Sequence, residues 1–501
     1  MSSDHPGPAA SRTQLPKVRS GIKGLDEITD GGLPAGRPTL VCGGPGCGKS
    51  LLGIEFLVQG AVQFGEPGVL MSFEETAADI CQNAASLGFD LENLIAHKLI
   101  KIDYVRVERS EIEETGEYDL EGLFVRLNYA VQTIKAKRVV LDTIESLFSG
   151  LTNTAILRAE LRRLFGWLKE KGLSTIITGE RGSESLTREG LEEYVSDCVI
   201  LLDHRVVGQV STRRLRVVKY RGSVHGTNEY PFLIDRDGIT VLPLSSAGLA
   251  HTASTERVST GIQTLDDMLG GAGFFRGSSI LLSGTAGTGK TTLAASFVAA
   301  ACARGERCLF FSFEESIDQI VRDMSSVGID LRALLGNNLQ FACDRPTVLG
   351  LEAHLAGMLK RIEQFKPDVV VVDPISALLT GVIAPDVQAL LIRLLDTLKV
   401  RQVTTFLTSL TSGALDLGRE ASEVGISSIV DTWIGVMNIE IDTERNRGIY
   451  VVKSRGMNHS RQVRELVFSD RGLEVMAVCR GPSGVLTGSA RVAYQATVAA
   501  K

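Results

Sequence analysis

Two stretches decide the fold of this chain: "CGGPGCGKSLLGIEF" at residues 42–56 and "SGTAGTGKTTLAASF" at residues 283–297. Each contains the pattern G-x-x-x-x-G-K-[ST], follows a short apolar run and opens a stretch with helical periodicity. In that context the pattern predicts a phosphate-binding loop between a strand and a helix, because glycines let the backbone wrap closely around phosphate oxygens. The sequence therefore predicts two nucleotide sites.

The repetition extends beyond these loops. "LFFSFEES" (309–316) resembles "VLMSFEET" (69–76), and "VVVVDPISALLTG" (369–381) resembles "RVVLDTIESLFSG" (138–150). Corresponding motifs keep their order and lie 231 to 241 residues apart, which indicates a duplicated domain. The predicted divisions are a leader (1–16), a first domain (17–246), a linker (247–257), a second domain (258–478) and a tail (479–501).

The predicted fold class is α/β. Short β-branched runs such as "TIIT" (175–178) alternate with helical stretches such as "LRAELRRLFGWLKEKG" (157–172) in both halves. This alternation is typical of βαβ units around a mostly parallel sheet that is flanked by helices.

Composition excludes several classes of protein. The 501 residues are 44% hydrophobic and 22% charged with a net charge of −6, which fits a globular protein and gives nucleic acid no global attraction. The eight cysteines form no C-x-x-C pair, so we expect neither a zinc site nor a disulfide framework. The N-terminus has no signal-peptide pattern and no apolar run reaches the ~18 residues of a membrane span, so a cytoplasmic protein is expected.

The two loops and the acids after the following strands predict an ATP and Mg²⁺ site in each half. Lys49 and Lys290 are expected to reach the β- and γ-phosphates. Ser50 and Asp142, and correspondingly Thr291 and Asp373, are expected to hold Mg²⁺. The loop residues predicted to bind ATP are Gly43, Gly44, Pro45, Gly46, Cys47, Gly48, Lys49 and Ser50, and Gly284, Thr285, Ala286, Gly287, Thr288, Gly289, Lys290, Thr291 and Thr292.

Paired carboxylates and basic groups recur in both halves. Glu74 with Glu75, and Glu314 with Glu315, follow a second strand and are candidates for activating a nucleophile. Basic residues late in each half are candidates for γ-phosphate contacts donated across a subunit interface, as an arginine finger is. These basic residues are Lys219, Arg221 and His225, and Lys453, Arg455 and His459, with Arg213 and Arg447 six residues before each lysine as possible additions.

One segment differs between the halves. Ser427 and Ser428 stand where the first half has Glu193 and Tyr194. Two hydroxyls beside a γ-phosphate would let the second half transfer phosphate to protein, whereas the first half could transfer it only to water. A Ser-Ser pair in a loop is also ordinary, and by itself it does not establish a phosphorylation site.

The two loops, the repeated "SFEE", and the motifs "KYRG", "GISSIVDT" and "KSRGMNHS" resemble the KaiC family over residues 17–480. KaiC is the double-domain ATPase and autokinase of the cyanobacterial circadian clock. The resemblance implies tandem RecA-like P-loop domains in a hexameric double ring, with ATP bound between neighbouring subunits. It further implies an ATPase first domain, a second domain that is also a Ser/Thr autokinase, and a role in circadian timing or stress signalling.

Site roles follow from the same resemblance. The two glutamate pairs match the family's catalytic pairs, with Glu314 as the base for phosphotransfer, and Ser427 and Ser428 match its two phospho-acceptors. Ser86 matches a nucleotide contact of the first domain, and the Lys-Arg-His sets match contacts from the adjacent subunit.

The chain also departs from the clock protein. Val327 replaces a tryptophan near the adenine, which puts base stacking there in question. The tail, at residues 479–501, is shorter than the clock protein's tail, where the activator KaiA engages. The resemblance thus favours a KaiB-like partner on the first domain over dependence on KaiA.

Two alternatives remain open at this point. A RecA- or RadA-like DNA-dependent ATPase would share the fold, although the sequence has no basic-aromatic tract for DNA. A nucleotide-gated assembly scaffold would bind ATP without kinase chemistry.

Overall fold

The chain divides into two compact units, residues 1–244 and 245–501. Each unit is described by itself. The computed structural model describes residues 15–105, 121–148, 154–182, 196–207, 210–243, 252–345, 350–379, 384–411, 426–441, 444–470, 472–477, 479–481 and 484–499.

The first unit is built on a nine-stranded sheet. Six adjacent strands are parallel and three more extend the sheet in antiparallel fashion. In spatial order the strands are β5 (Ile100–Tyr104), β4 (Gly68–Ser72), β6 (Arg138–Asp142), β7 (Ser174–Glu180), β3 (Pro38–Gly43), β8 (Cys198–Val207), β9 (Val210–Tyr220), β10 (Glu229–Asp235) and β11 (Gly238–Val241). A short ribbon joins β1 (Lys17–Val18) to β2 (Leu33–Pro34).

Helices cover both faces of this sheet. Leu40 and Val41, neighbours in β3, point to opposite faces and belong to two different hydrophobic cores. The strands are therefore buried on both sides, as their β-branched runs predict. The helices are α1 (Leu25–Ile28), α2 (Lys49–Phe64), α3 (Ala77–Ser86), α4 (Leu91–Ala96), α5 (Glu121–Ile134), α6 (Ile144–Phe148) and α7 (Thr154–Glu170).

The second unit repeats this topology. Its nine-stranded sheet has the order β16 (Leu339–Cys343), β15 (Cys308–Ser312), β17 (Val369–Asp373), β18 (Thr404–Leu410), β14 (Ser279–Gly284), β19 (Thr432–Ile441), β20 (Glu444–Ser454), β21 (Arg464–Ser469) and β22 (Gly472–Val475). The ribbon β12 (Arg257–Val258) to β13 (Phe274–Phe275) corresponds to the first ribbon. The helices are α8 (Gln263–Met268), α9 (Lys290–Ala303), α10 (Ile317–Ser325), α11 (Leu351–Phe365) and α12 (Ala384–Val400), with 3₁₀ turns at Arg332–Leu334 and Ile375–Leu379.

Local sequence explains where the helices beside the glutamate pairs begin. The Thr76 side chain caps α3 by accepting a hydrogen bond from the Asp79 amide. Ser316 and Gln319 form a reciprocal capping box at the start of α10. These caps fix the helix starts directly after the two "SFEE" segments. The prediction of two α/β domains with mostly parallel sheets is confirmed.

The segment after the second sheet forms a hairpin and a helix. The hairpin joins β23 (Cys479–Gly481) to β24 (Gly484–Leu486), and α13 (Gly488–Ala499) follows. The carboxylate of Glu465 in β21 accepts hydrogen bonds from the Gly488 amide at 2.8 Å and from the Arg491 guanidinium at 2.7 Å. The helix is thereby anchored to the second sheet.

Across the described ranges, no helix combines the length and the apolar character needed to span a lipid bilayer.

Candidate active sites

The first phosphate-binding loop connects β3 to α2. Gly46 and Gly48 have φ angles of 69° and 101°, in the left-handed region that favours glycine. A Cβ on Gly48 would lie 2.8 Å from the side chain of Ile234 in β10. The glycine pattern is therefore required both by the backbone conformation and by the packing of the neighbouring strand.

The second loop connects β14 to α9 with the same backbone. Gly287 and Gly289 have φ angles of 76° and 90°. A Cβ on Gly289 would lie only 2.1 Å from the Phe468 ring of β21. Each loop thus leads into a helix N-terminus, whose partial positive charge favours phosphate.

The loop lysines are held inside the concave side of each loop. The Lys49 ammonium donates to the carbonyl oxygens of Gly43 at 2.8 Å and Gly44 at 3.0 Å. Lys290 donates to its own loop carbonyls, including Gly284, at 2.8 Å. Burial lowers the pKa of Lys290, while the charges of Asp373 and Glu314 oppose that shift. Both ammonium groups are therefore held against the backbone of their own loop, each by two carbonyl oxygens.

An aspartate lies beside each loop: Asp373 is buried and Asp142 is half-buried. Burial raises the pKa of the Asp142 carboxyl, and hydrogen bonds from Thr178 and Ser50 oppose the shift. Asp373 has the same arrangement with Thr408 and Thr291. A carboxylate beside a loop hydroxyl is the donor set that Mg²⁺ prefers, so these residues fit the ion.

The glutamate pair of the first domain is held by hydrogen bonds. Thr143 and Ser146, on the segment after β6, donate to the same oxygen of Glu74 at 2.7 Å and 2.6 Å. The Asn83 side-chain amide in α3 donates to Glu75 at 3.1 Å. Both carboxylates therefore have a fixed orientation at the carboxyl edge of the sheet.

The corresponding pair of the second domain has different neighbours. Pro374 and Ala377 replace Thr143 and Ser146, and Asp323 replaces Asn83. Partial desolvation and the charges of Asp373, Asp323 and Glu314 raise the pKa of the largely exposed Glu315, against the effect of Arg322. The sequence signal for Thr143 and Ser146 is their replacement by Pro374 and Ala377 when the segments after β6 and β17 are aligned.

In each sheet, the lysine of the late basic group lies at the end of the strands opposite to the phosphate-binding loop. Lys453 in β20 is paired with Trp433 of β19, and the first residue of β19, Thr432, is aligned with Ile280 near the start of β14. The loop follows the other end of β14, so about 17 Å of strand lies between the two ends at ~3.3 Å per residue. Lys219 in the first domain has the same position, paired with Val199 near the start of β8.

Lys453 and Arg455 bind the segment that contains the predicted phospho-acceptors. The Lys453 ammonium donates to the carbonyl oxygen of Ser427, and the Arg455 guanidinium donates to the carbonyl oxygen of Ser428. Burial and the charge of Arg455 lower the pKa of Lys453. Within one chain, the two serines and these cations therefore form one cluster, remote from the phosphate loop of the same domain.

Three more of the late basic residues follow the strands β9 and β20. His225 stacks on Tyr220 with ring centroids 6.1 Å apart. His459 lies after β20, on the same segment as Arg455. Arg221 forms a long ion pair with Asp197 at 3.9 Å.

Arg447 does not belong to the Lys453 cluster. Its guanidinium donates to the carbonyl of Gly287 at 3.2 Å and stacks over the Phe468 ring at 4.6 Å, so it contacts the loop of its own domain. The expectation that Arg447 joins the group of Lys453 is wrong. Six residues of a β-strand separate the two positions by about 20 Å. Arg213 is placed similarly in the first domain, near the loop residue Cys47.

Ser86, Val327 and the counterparts of the serine pair are also positions of interest in the sequence. Ser86 ends α3, and its hydroxyl donates to the Asn83 carbonyl at 2.7 Å. Val327 follows α10 and packs partly against the hydrophobic core. Glu193 and Tyr194, the counterparts of the serine pair, lie outside the described residues.

Comparison with known proteins identifies the family of the chain. A family model described as "ATPase: KaiC" matches residues 18–246 and again 258–478. The chain is 57% identical over 479 residues to "Circadian clock protein KaiC2" of Synechocystis sp., covering 95% of this chain and 84% of that protein. It is 39% identical to "Circadian clock oscillator protein KaiC" of Parathermosynechococcus lividus, with 95% and 88% coverage, and of Synechococcus elongatus, with 95% and 92% coverage.

Proposed function

The chain belongs to the KaiC family of ATPases, and from that premise we propose a ring-forming enzyme with two activities. The first domain hydrolyses ATP, and the second domain, an ATPase itself, also transfers the γ-phosphate of ATP to Ser427 or Ser428 of a neighbouring copy. The observation that carries this proposal is the binding of the Ser427 and Ser428 carbonyls by Lys453 and Arg455. This cluster lies at the sheet edge remote from the loop of its own domain.

This separation favours transfer between chains. A hydroxyl must approach the γ-phosphorus to about 3–3.5 Å before it can react. The strand that separates Ser427 and Ser428 from Lys290 is about 17 Å long. A second protomer whose loop faces the serine cluster satisfies the requirement, and Lys453, Arg455 and His459 would then contact the same phosphates. A closed ring supplies this contact at every interface, and we propose the hexamer of the family.

In each domain the chain's own residues bind and orient the nucleotide. Lys49 or Lys290 exchanges its loop carbonyls for the β- and γ-phosphate oxygens. Ser50 with Asp142, and Thr291 with Asp373, would hold Mg²⁺. The ion neutralises charge that develops on the phosphate oxygens.

In the second domain, phosphotransfer is an exchange of bonds at phosphorus. The serine hydroxyl oxygen forms a bond to the γ-phosphorus while the bond to the β–γ bridging oxygen breaks, and ADP leaves. Glu314 accepts the proton that the hydroxyl loses. In the first domain Glu74 and Glu75 would instead orient a water molecule for the same attack.

Partners follow from the family. We propose that a KaiB-like protein docks on the first domain and that activity does not depend on KaiA. Phosphorylation adds charge at the serine cluster beside Lys453 and Arg455, which would bias the interface and report elapsed time or stress to a partner.

Intact-mass analysis and peptide mapping after incubation with Mg-ATP test this proposal. We expect phosphate on the peptide that contains Ser427 and Ser428, and none there in the double variant Ser427→Ala/Ser428→Ala. Unchanged phosphate content in the double variant would refute the acceptor assignment. Absence of phosphate on the native chain would leave an ATPase or a scaffold, and turnover stimulated by DNA would instead support a DNA-dependent motor.

A further inference from the structure

The feature of interest is the pair of hydroxyls that hold Glu74. Thr143 and Ser146 donate at 2.7 Å and 2.6 Å to one oxygen, Oε1, so the carboxylate cannot rotate without losing both bonds. Thr143 is itself only 7% exposed, which limits its own motion. The second carboxylate oxygen, Oε2, remains available for a further hydrogen bond at the site.

The second domain makes the same backbone hydrogen bond at this place, in a 3₁₀ turn where the first has an α-helix, but its side chains differ. The Ser146 amide donates to the Thr143 carbonyl at 3.3 Å, and the Ala377 amide donates to the Pro374 carbonyl at the same distance. Neither Pro374 nor Ala377 has a side-chain donor. Within the part of the chain that the structure describes, the Glu314 carboxylate accepts no hydrogen bond.

The two carboxylates are thereby suited to different nucleophiles. Two donors on one oxygen fix the direction of the other oxygen. Fixed direction suits a water molecule, which has no covalent link to hold it in line with phosphorus. A carboxylate without these donors can turn to follow a serine that the neighbouring chain already positions.

We propose that Thr143 and Ser146 are positioning residues that commit Glu74 to water, and that their replacement by Pro374 and Ala377 commits Glu314 to a serine hydroxyl. This inference rests on the proposed function. It adds two residues that act through the carboxylate of Glu74. The hydroxyls of Thr143 and Ser146, which Pro374 and Ala377 lack, carry the difference.

The first arm of the test measures hydrolysis by the first domain. The full chain carries Glu314→Gln/Glu315→Gln, so that the remaining turnover belongs to the first domain. Adding Ser146→Ala should lower kcat several-fold, and Thr143→Ala/Ser146→Ala should lower it on the order of ten-fold, with KM for ATP within about two-fold. Thr143→Ser keeps the hydroxyl and should retain the parent rate, which a merely structural role would not require.

The second arm adds the missing oxygen to the second domain. Ala377→Ser in the native chain should slow phosphate incorporation at Ser427 and Ser428 several-fold, because the new hydroxyl would bind Glu314. Ala377→Cys is the matched control, since a thiol of similar size is a weak donor, and it should retain the native rate. Binding of a fluorescent ADP analogue should be equal in all variants.

The outcomes separate the inference from the function. A parent chain without turnover, or a native chain without phosphate, would refute the proposed function itself. Active parents with unchanged rates in Ser146→Ala and Ala377→Ser would overturn only the inference. A rise in KM with unchanged kcat would also overturn it, because it would assign Thr143 and Ser146 to substrate binding.

Discussion

In the first domain the carboxylate of Glu74 accepts two hydroxyl hydrogen bonds, whereas Glu314 accepts none from the described residues of the second domain. The two domains otherwise share their strand order, loop conformation and lysine contacts. The comparison teaches that a duplicated nucleotide site can keep its binding apparatus while the residues around the catalytic carboxylate diverge. We propose that this divergence decides whether water or serine receives the phosphate.

Two further differences lie outside the catalytic pair. Glu55, 2% exposed within α2, has Ser296 as its counterpart in α9. Glu465, which anchors the C-terminal helix, has Pro231 as its counterpart, because each faces the equivalent residue of the preceding strand. The second sheet has thus gained a binding position for the C-terminal helix, and the first unit has gained a buried acid.

The largest effect is expected from exchanging the glutamates for glutamines in one domain at a time. Glu314→Gln/Glu315→Gln should lower phosphate incorporation at the serines by at least about a hundred-fold, since the proton acceptor is lost. Glu74→Gln/Glu75→Gln should leave serine phosphorylation within a few-fold of native. Intact-mass time courses measure both. Equal losses in the two variants would break the comparison.

The buried Glu55 predicts a pH-dependent difference in stability. Burial raises its pKa from 4.5 to about 7, partly opposed by hydrogen bonds from the Ile239 amide and Gln59, and Asp235 adds to the rise. The folded state therefore holds a proton that the unfolded state releases, and stability falls as pH rises from about 4.5 to about 7. The loss of stability arises because ionisation of the buried Glu55 carboxyl is unfavourable in the folded state.

Between pH 5.5 and pH 8, the free energy of unfolding of the native chain should fall by about 2 kcal/mol more than that of Glu55→Gln. Urea unfolding of the first domain at several pH values measures this difference. Exposed Glu170→Gln is the control and should show no such trend. A difference that is constant with pH would contradict the assignment.

A smaller effect is expected at the cluster that binds the serine segment. Lys453→Ala/Arg455→Ala should slow serine phosphorylation on the order of ten-fold, because the acceptor segment loses the donors to its carbonyls. Arg461→Ala, an exposed cation nearby in sequence, is the control. Peptide-resolved phosphate time courses provide the measurement. A native rate in the double variant would show that the two side chains do not position the acceptor.

The smallest effect is expected from Asp323→Asn, which gives the second domain the residue type that the first domain has at Asn83. Asp323→Asn removes a negative charge that raises the pKa of Glu315, so that pKa should fall. Because Glu315 is exposed, the rate should change by no more than about three-fold near neutral pH. The pH profile of phosphorylation should shift to lower pH in Asp323→Asn and stay unchanged in Asp318→Asn. A shift to higher pH would contradict the electrostatic argument.

Much of the fold could be predicted from sequence, because the loop pattern and the β-branched runs are local signals. The strand-loop-helix context of Gly43 to Ser50 and its repeat is one example. The placement of Arg447 could not be predicted, since a six-residue spacing does not say which sheet edge a side chain occupies. The hydroxyls of Thr143 and Ser146 lie within the repeated segment at 138–150, but only the fold brings them to Glu74.

The central claim is that a phosphate passes from the second-domain site of one chain to a serine of another. The direct test mixes two full-length variants before ATP-driven assembly: Glu314→Gln/Glu315→Gln, which keeps the serines, and Ser427→Ala/Ser428→Ala, which keeps the glutamates. Mass spectrometry then reads each chain separately. We predict no phosphate at these serines in either variant alone and phosphate on the glutamine variant in the mixture. A glutamine variant that stays unphosphorylated in mixed rings would contradict transfer between chains.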